Sequence, residues 1–290
     1  MKFANLNKDR SILPVVIHEN YAFSLIGASE TGKTSLEEMF TDTEELSRLA
    51  DKAIRTEPPV KFVMTDLRSP ITRPGKILGI GLNYADHARE TGREPPKAQT
   101  WFMKQSTAIN DPFGTITMPS VSEHLDYEAE LVVVIGRYGR HVPPVRAHEI
   151  IAGFTCGNDV SVRDWQRASP TMIMGKGFDT HAPIGPWIVT PEELGDFNSL
   201  GLRTFVNGEL RQDGTTADFL NKIPDMIAHL TAAFPLEPGD LIFTGTPAGV
   251  GVAHNPPNFL KVGDTVRIEI DRIGHIEHTI IAEEPITRIG

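Results

Sequence analysis

Residues 126–136 read DYEAELVVVIG, and the way this stretch folds decides the architecture. Side chains of a strand alternate between two faces, so Glu128 and Glu130 share one face while Tyr127, Ala129 and Leu131 take the other. Val132 and Val134 then continue the glutamates' own face with apolar groups. A strand apolar on both faces belongs inside a sheet that is covered on each side. The two carboxylates, about 7 Å apart along a strand, repel each other unless water solvates them or a cation sits between them. Taken alone, the pair reads as the solvated face of an edge strand. The VVVIG that follows at once argues for the buried reading.

Outward from this strand the chain is rich in short apolar runs separated by turn residues. LRTFVNGELRQDG (202–214) reads as a hairpin about Asn207-Gly208, a strong two-residue turn signal. DLIFTG, TVRIEID and HTIIAEE read as further strands. Helical patterns are fewer: NYADHARETG (83–92), VRAHEIIAG (145–153), SVRDWQRA (161–168) and PDMIAHLTAAF (224–234). The fold class is therefore α+β and strand-rich with short helices, not the strand–helix alternation of a parallel sheet. DLRSPITRPGK (66–76) has two prolines, a glycine and no apolar period, which marks a boundary. A small N-terminal α/β domain over residues 1–70, with a helix over 35–54, and a larger domain over 71–290 are expected.

A formal charge of −10 argues against nucleic acid, whose phosphates favour clustered Lys and Arg. No apolar run approaches the length of a membrane span, and the N-terminus lacks an apolar signal-peptide core. Cys156 is the only cysteine, so no intrachain disulfide can form and a reducing cytoplasm is the expected setting.

GASETGKTS (27–35) meets every fixed position of the phosphate-binding pattern G-x-x-x-x-G-K-[ST], with Gly27, Gly32, Lys33 and Thr34. Residues 1–66 supply too few strands for the sheet behind such a loop. Glu30, Glu37 and Glu38 place negative charge where a triphosphate needs the opposite. Ser35 and Glu38 instead have capping-box spacing. The stretch reads as a turn and an acidic helix start that binds no nucleotide, with a P-loop nucleotide-binding protein as the remote alternative.

A third carboxylate, Asp159, follows a Gly-Asn turn in AGFTCGNDVSVRDWQ. Its ordinary role is a helix N-cap. Together with Glu128 and Glu130 it would instead make a hard-cation site for Mg²⁺ or Mn²⁺. If a helix starts at Asn83, His87 and Glu90 lie three apart on one face. They are then either a surface pair or an imidazole tuned by a carboxylate into a general base. Lys176, between glycines in IMGKGFDTHAPIGPW (173–187), is either a solvated charge or a stabiliser of a developing oxyanion. Cys156, His124, His181, Trp165 and Trp187 receive no functional role.

Five segments in order resemble the fumarylacetoacetate hydrolase family: GLNYADHARE, DYEAELVVVIG, GNDVSVRDWQ, GKGFDTHAPIGPW and GDLIFTGTPAGVG. The resemblance covers roughly residues 75–285. It implies a mixed β-roll or distorted barrel, usually homodimeric, with a small N-terminal domain in longer bacterial members. It implies metal ligation by Glu128, Glu130 and Asp159, and catalysis by His87, Glu90 and Lys176. Arg163, Gln166 and Thr246 match positions that hold the substrate's carboxylate and oxo groups. The implied activity is metal-dependent hydrolysis of a C–C bond in a β-diketo acid, an acylpyruvate or fumarylpyruvate. On the same site the family also runs 2-oxo acid decarboxylation and dienoate isomerisation, and a member that binds oxo acids without turning them over is a third reading. Two positions depart from the pattern: Gln105 stands where relatives often have Pro, and Leu82 where some acylpyruvate hydrolases have Arg. The second removes a possible carboxylate clamp.

Overall fold

The computed structural model describes residues 1–8, 11–287 and 289. All seven residues of the strand Ala129–Ile135 are buried, as the apolar run on both faces requires. The strand lies inside an eleven-stranded sheet. On one side it pairs antiparallel with Ile151–Asn158, and on the other with Leu241–Phe243. The sheet continues in one direction through Ile77–Gly81, the parallel neighbour of Leu241–Phe243, to Thr100–Lys104. In the other direction it continues through Ala182–Val189, Lys2–Lys8 and Ser11–His18 to Tyr21–Ser24. It ends at two edges and forms no closed barrel.

Each face of the Ala129–Ile135 strand is covered by a different part of the chain. Leu131, Val133 and Ile135 share a core with Ile268, Ile270 and Ile276 of a second, five-stranded sheet and with Met226, Ile227 and Leu230 of the helix Ile223–Ala233. Val132 and Val134 share another core with Phe3, Leu36, Met39, Phe40 and Leu46. The five-stranded sheet contains the expected hairpin, with Val206 opposite Glu209. Asn207 and Gly208 take positive φ of 51° and 80°, the pair of left-handed residues that a tight turn of matching twist demands.

The segment expected as an N-terminal α/β unit joins the main sheet directly, through Lys2–Val189 and Phe3–Ile188 pairing. Its single expected helix is two: Leu36–Met39 and Thr43–Thr56. The break comes at Asp42, whose side chain accepts from the backbone of Glu45 and starts the second helix as an N-cap. The Ser35–Glu38 capping box is present. Residues 22–26, AFSLI, are strand as far as Ser24 and helical from Leu25, and residues 61–66, KFVMTD, hold a 3₁₀ turn at Met64–Asp66. VRAHEIIAG is 3₁₀ through Ile150 and strand from Ile151, where its last three residues enter the strand beside Ala129–Ile135.

Candidate active site

The glutamates' face is left open only at the start of the central strand, and the site forms there. Register brings the third carboxylate to it. Ala129 pairs with Asn158, the Asp159 N–H donates to the Glu128 carbonyl (3.0 Å), and the Asn158 side chain accepts from the Glu128 N–H. Asp159 is therefore no helix cap; the next helix begins at Arg163. Glu128, Glu130 and Asp159 are all buried, and each offers an oxygen within 4.8 Å of the other two.

Cations surround part of this cluster. Lys176 Nζ lies 2.6 Å from Glu128 Oε2 and 2.5 Å from Asp159 Oδ2. It is 2% exposed, so the solvated-surface alternative for this lysine is excluded. The helical turn Ile173–Lys176 can approach because Gly175 has no side chain: a Cβ there would come 2.2 Å from the Gln166 backbone nitrogen. Lys104 Nζ donates to Asp159 Oδ1 (2.6 Å) and to the Val160 carbonyl (3.1 Å). Arg163 spreads over three partners: Nε to Asp126 Oδ2 (2.7 Å), Nη2 to Glu128 Oε1 (2.7 Å) and Nη1 to Gln166 Oε1 (3.0 Å).

The charges do not balance. Four buried carboxylates (Asp126, Glu128, Glu130 and Asp159) face three cations (Lys104, Arg163 and Lys176). Burial would raise the pKa of Glu128, but Arg163 and Lys176 outweigh it and hold that carboxyl well below its usual range. Glu130 is left over. Among the described residues its Oε2 accepts only from the Gly245 N–H (2.6 Å), and burial, with Asp159 and Glu128 beside it, pushes its carboxyl well above the ordinary range. A cluster of hard oxygens lacking one positive charge fits a divalent cation such as Mg²⁺ or Mn²⁺.

The helix containing His87 runs from Ala85 to Glu90, two residues later than expected from Asn83. His87 is buried, with Nδ1 2.7 Å from Glu90 Oε1. A carboxylate at Nδ1 holds the proton there and leaves Nε2 as the basic nitrogen. The other Glu90 oxygen accepts from the Gly249 N–H (2.8 Å), which ties the helix to the loop after Thr246. This is a buried, doubly anchored pair and not the surface alternative.

His87, Glu90, Glu128, Glu130, Arg163, Gln166, Lys176 and Thr246 all line one cavity of about 580 Å³. Asp159 lies behind Lys176 and does not line it. Thr246 Oγ1 accepts from Gln212 Nε2 (2.8 Å), which leaves its own hydroxyl proton to donate. Leu82 lines the wall with a left-handed φ of 55°. The exposed part of the wall includes Arg93 and Arg167, and neither forms an ion pair among the described residues.

Sequence reasoning missed Asp126 and Lys104. Asp126 stands two positions before Glu128, on the parity shared by both glutamates, so the alternation that identified them extends to it. A lone lysine at the end of Thr100–Lys104 carries no such signal, because its partner Asp159 meets it only in the fold. His181 and His124 lie outside the cavity lining. His181 Nε2 is 2.8 Å from the Thr117 carbonyl, and His124 stacks on Phe259. Cys156 is fully buried, and Trp165 and Trp187 are half-buried.

The strand-rich α+β fold thus carries a buried carboxylate triad beside a His–Glu pair. The chain belongs to the fumarylacetoacetate hydrolase family: residues 76–281 match the family model described as Fumarylacetoacetate (FAA) hydrolase C-terminal. It is 42% identical over 214 residues to the mitochondrial oxaloacetate tautomerase Fahd2a of Rattus norvegicus, covering 73% of this chain and 68% of that one. Among solved structures, fumarylacetoacetate hydrolase from Exiguobacterium antarcticum superposes with a TM-score of 0.87 at 32% identity, covering 98% of this chain and all of that one. Maleylpyruvate hydrolase from Sphingobium sp. SYK-6, solved with manganese(II) and pyruvate, gives 0.82 at 27% identity with the same coverage. No helix among the described residues is long and apolar enough to cross a membrane.

Proposed function

We propose that this protein is a divalent-metal-dependent enzyme that forms and discharges the enolate of a dicarboxylic 2-oxo acid, with keto–enol interconversion of an oxaloacetate-type substrate as its first reaction. The observation that carries this reading is the buried carboxylate triad and the His87–Glu90 pair opening on one cavity. A divalent cation held by Glu128, Glu130 and Asp159 would act as a Lewis acid toward the carboxylate and oxo oxygens of such an acid and stabilise charge on the enolate oxygen. The remaining work falls to the chain. Arg163 and Gln166 orient the carboxylate, and Lys176 offers positive charge to the developing oxyanion. His87 Nε2 takes the proton from the carbon next to the oxo group and delivers it to the enolate oxygen, the reverse passage regenerating the ketone, while Glu90 keeps Nδ1 protonated. Tautomerisation needs no attacking water and breaks no C–C bond. Arg93 and Arg167 favour a second carboxylate at the far end of the substrate. The 42%-identical rat oxaloacetate tautomerase supports the same assignment.

A second reading is hydrolysis of a β-diketo acid, favoured by the size of the cavity and by the maleylpyruvate hydrolase neighbour. In that case His87 takes a proton from water and the hydroxide adds to the distal carbonyl. The C–C bond then breaks, and the enolate of a pyruvate unit leaves. In either case the protein acts on small molecules, as a homodimer that light scattering would reveal as twice the mass of the chain.

The test follows enol–keto conversion of oxaloacetate in the ultraviolet, with its decarboxylation and the loss of acylpyruvates and fumarylpyruvate measured in parallel. Mg²⁺ or Mn²⁺, EDTA and Glu128→Ala serve as controls. Metal-dependent tautomerisation abolished by the mutation is the expected result. Loss of diketo acids without tautomerisation selects the hydrolase, and loss of carbon dioxide from oxaloacetate alone selects a decarboxylase. Metal-dependent binding of oxo acids with no turnover would sink the enzymatic reading.

A further inference from the structure

The loop after Thr246 is held by its backbone. Ala248 N–H donates to Asp86 Oδ2 (3.4 Å) and Gly249 N–H to Glu90 Oε2 (2.8 Å). Gly251 N–H donates to Asp126 Oδ1 (2.7 Å) and Val252 N–H to Asp126 Oδ2 (3.0 Å). Asp86 and Glu90 belong to the helix of His87. Asp126 belongs to the opposite side, where its Oδ2 also accepts from Arg163 Nε (2.7 Å) and its Oδ1 from the Tyr127 N–H (3.0 Å). Asp126 is fully buried and does not line the cavity, whereas Arg163 and Val252 both do. There is no slack at this junction, since a Cβ on Gly251 would stand 2.4 Å from the Asn258 carbonyl oxygen and 2.6 Å from Asp126 Oδ1.

We propose that Asp126 is a positioning residue that fixes the Arg163 guanidinium and the Gly251–Val252 wall as one unit, and so sets the affinity of the site for a 2-oxo acid carboxylate. The inference rests on the proposed reading of Arg163 as the carboxylate-binding group. A guanidinium is a planar fork whose free edge is determined by what holds its other edges. Here Asp126 holds Nε and Glu128 holds Nη2, so the Nη1 side is the one turned toward Gln166 and the cavity. Without the Asp126 carboxylate the fork can rotate about its stem, and the N–H groups of Gly251 and Val252 no longer both have an acceptor. Glu128 cannot replace it, because its two oxygens already serve Arg163 and Lys176.

The test uses the full-length protein with Mn²⁺, pyruvate as the calorimetric probe and oxaloacetate for steady-state kinetics. The variants are Asp126→Asn, Arg163→Lys and the double mutant. Asp126→Asn keeps the shape of the side chain and is expected to weaken pyruvate binding and raise KM about tenfold, the scale of one lost charge-assisted contact. Its kcat should stay within about threefold, because the proton-transfer groups are untouched. The double mutant should bind no worse than Arg163→Lys alone, because both changes release the same fork. Losses that multiply, or a kcat loss at unchanged affinity, overturn the proposal. If Asp126→Asn does not fold, Asp126→Glu keeps the charge and shifts it by one methylene, and unchanged affinity in that variant overturns the proposal as well. A wild-type protein that binds no pyruvate overturns the oxo-acid reading itself, an outcome distinct from any pattern among the variants.

Discussion

Two glycine-containing stretches of this chain use their backbone N–H groups in contrasting ways. In residues 27–35 the donors stay at home: Thr34 N–H (2.8 Å) and Ser35 N–H (3.3 Å) both go to Glu38, and Lys33 pairs with Glu45 at 2.8 Å. In residues 245–252 the donors go far. Gly245 reaches Glu130, Gly251 reaches Asp126 and Gly249 reaches Glu90, across 115, 125 and 159 positions of sequence. Both are loop amides satisfied by carboxylates, and the physics of each bond is the same. What differs is the consequence. A local carboxylate caps a helix, whereas distant ones converge and build a site.

The sharpest way to break this contrast is to remove one of the converging carboxylates. Asp159→Ala strips both Lys104 and Lys176 of a partner inside the protein. Breaking a buried pair on one side costs about 3–5 kcal/mol, so urea unfolding should show a loss of that order. Turnover with Mn²⁺ should fall by about 100-fold or more if Asp159 is one of the three proposed oxygen ligands, since even outer-shell partners of a metal are worth about 10- to 100-fold. A stable, active Asp159→Ala protein would mean that the cluster is ordinary ion pairing. His87→Gln tests the other wall. It should lower kcat by about 10²- to 10⁴-fold, the usual weight of general acid–base help, with stability nearly unchanged. Glu90→Gln should lower kcat less, and also loosen the loop by weakening the Gly249 contact.

The same contrast explains what could be read in the sequence. The strand, its two-sided burial and the parity of Glu128 and Glu130 are local and period-two, and DYEAELVVVIG shows them directly. The Asn207-Gly208 hairpin is equally local. The Ser35–Glu38 cap was legible for the same reason, and so was the error beside it: nothing in the run 35–54 outranks its helical pattern except the cap at Asp42. Lys104 was not legible. Its meaning comes from Asp159, 55 positions away, and from a burial that lowers its pKa despite that partner. Family resemblance supplied Arg163, Gln166 and Thr246, which no period or spacing would have singled out.

A smaller effect separates burial from function. His181 and His278 are buried with only a backbone carbonyl each, at Thr117 and Gly114. Burial depresses their pKa to about 3 and about 4 respectively. The unfolded chain, with histidines near pH 6.5, therefore binds more protons than the folded one between the two values. Stability is complete above that window and falls as pH drops through it. At pH 5 each histidine costs about 2 kcal/mol relative to neutral pH. Urea unfolding at pH 7 and pH 5 should show this loss, and His278→Gln should remove about half of it. The raised carboxyl of Glu130 acts in the opposite sense in both proteins, so an unfolding free energy with the same pH dependence in the wild type and in His278→Gln would show that water reaches that ring.

The smallest expected effect lies at the stretch whose pattern is loudest. Lys33 is the residue on which a phosphate-binding reading depends, yet its ammonium is held by Glu45, and two of the loop amides, Thr34 and Ser35, are turned to Glu38. Lys33→Ala removes one partly exposed ion pair, worth no more than about 1 kcal/mol. Turnover of oxo acids should be unchanged, and equilibrium dialysis with Mg²⁺ and ATP should detect no nucleotide on either protein. ATP bound by the wild type and lost in Lys33→Ala would reverse the contrast, because it would show that Glu38 gives up its amides to a stronger anion. The carboxylate is covalently fixed four residues away and is present at high effective concentration, whereas ATP must displace it while facing Glu30 and Glu37. A local partner of that kind is why a loop can match a phosphate-binding pattern at every position and still be a helix start.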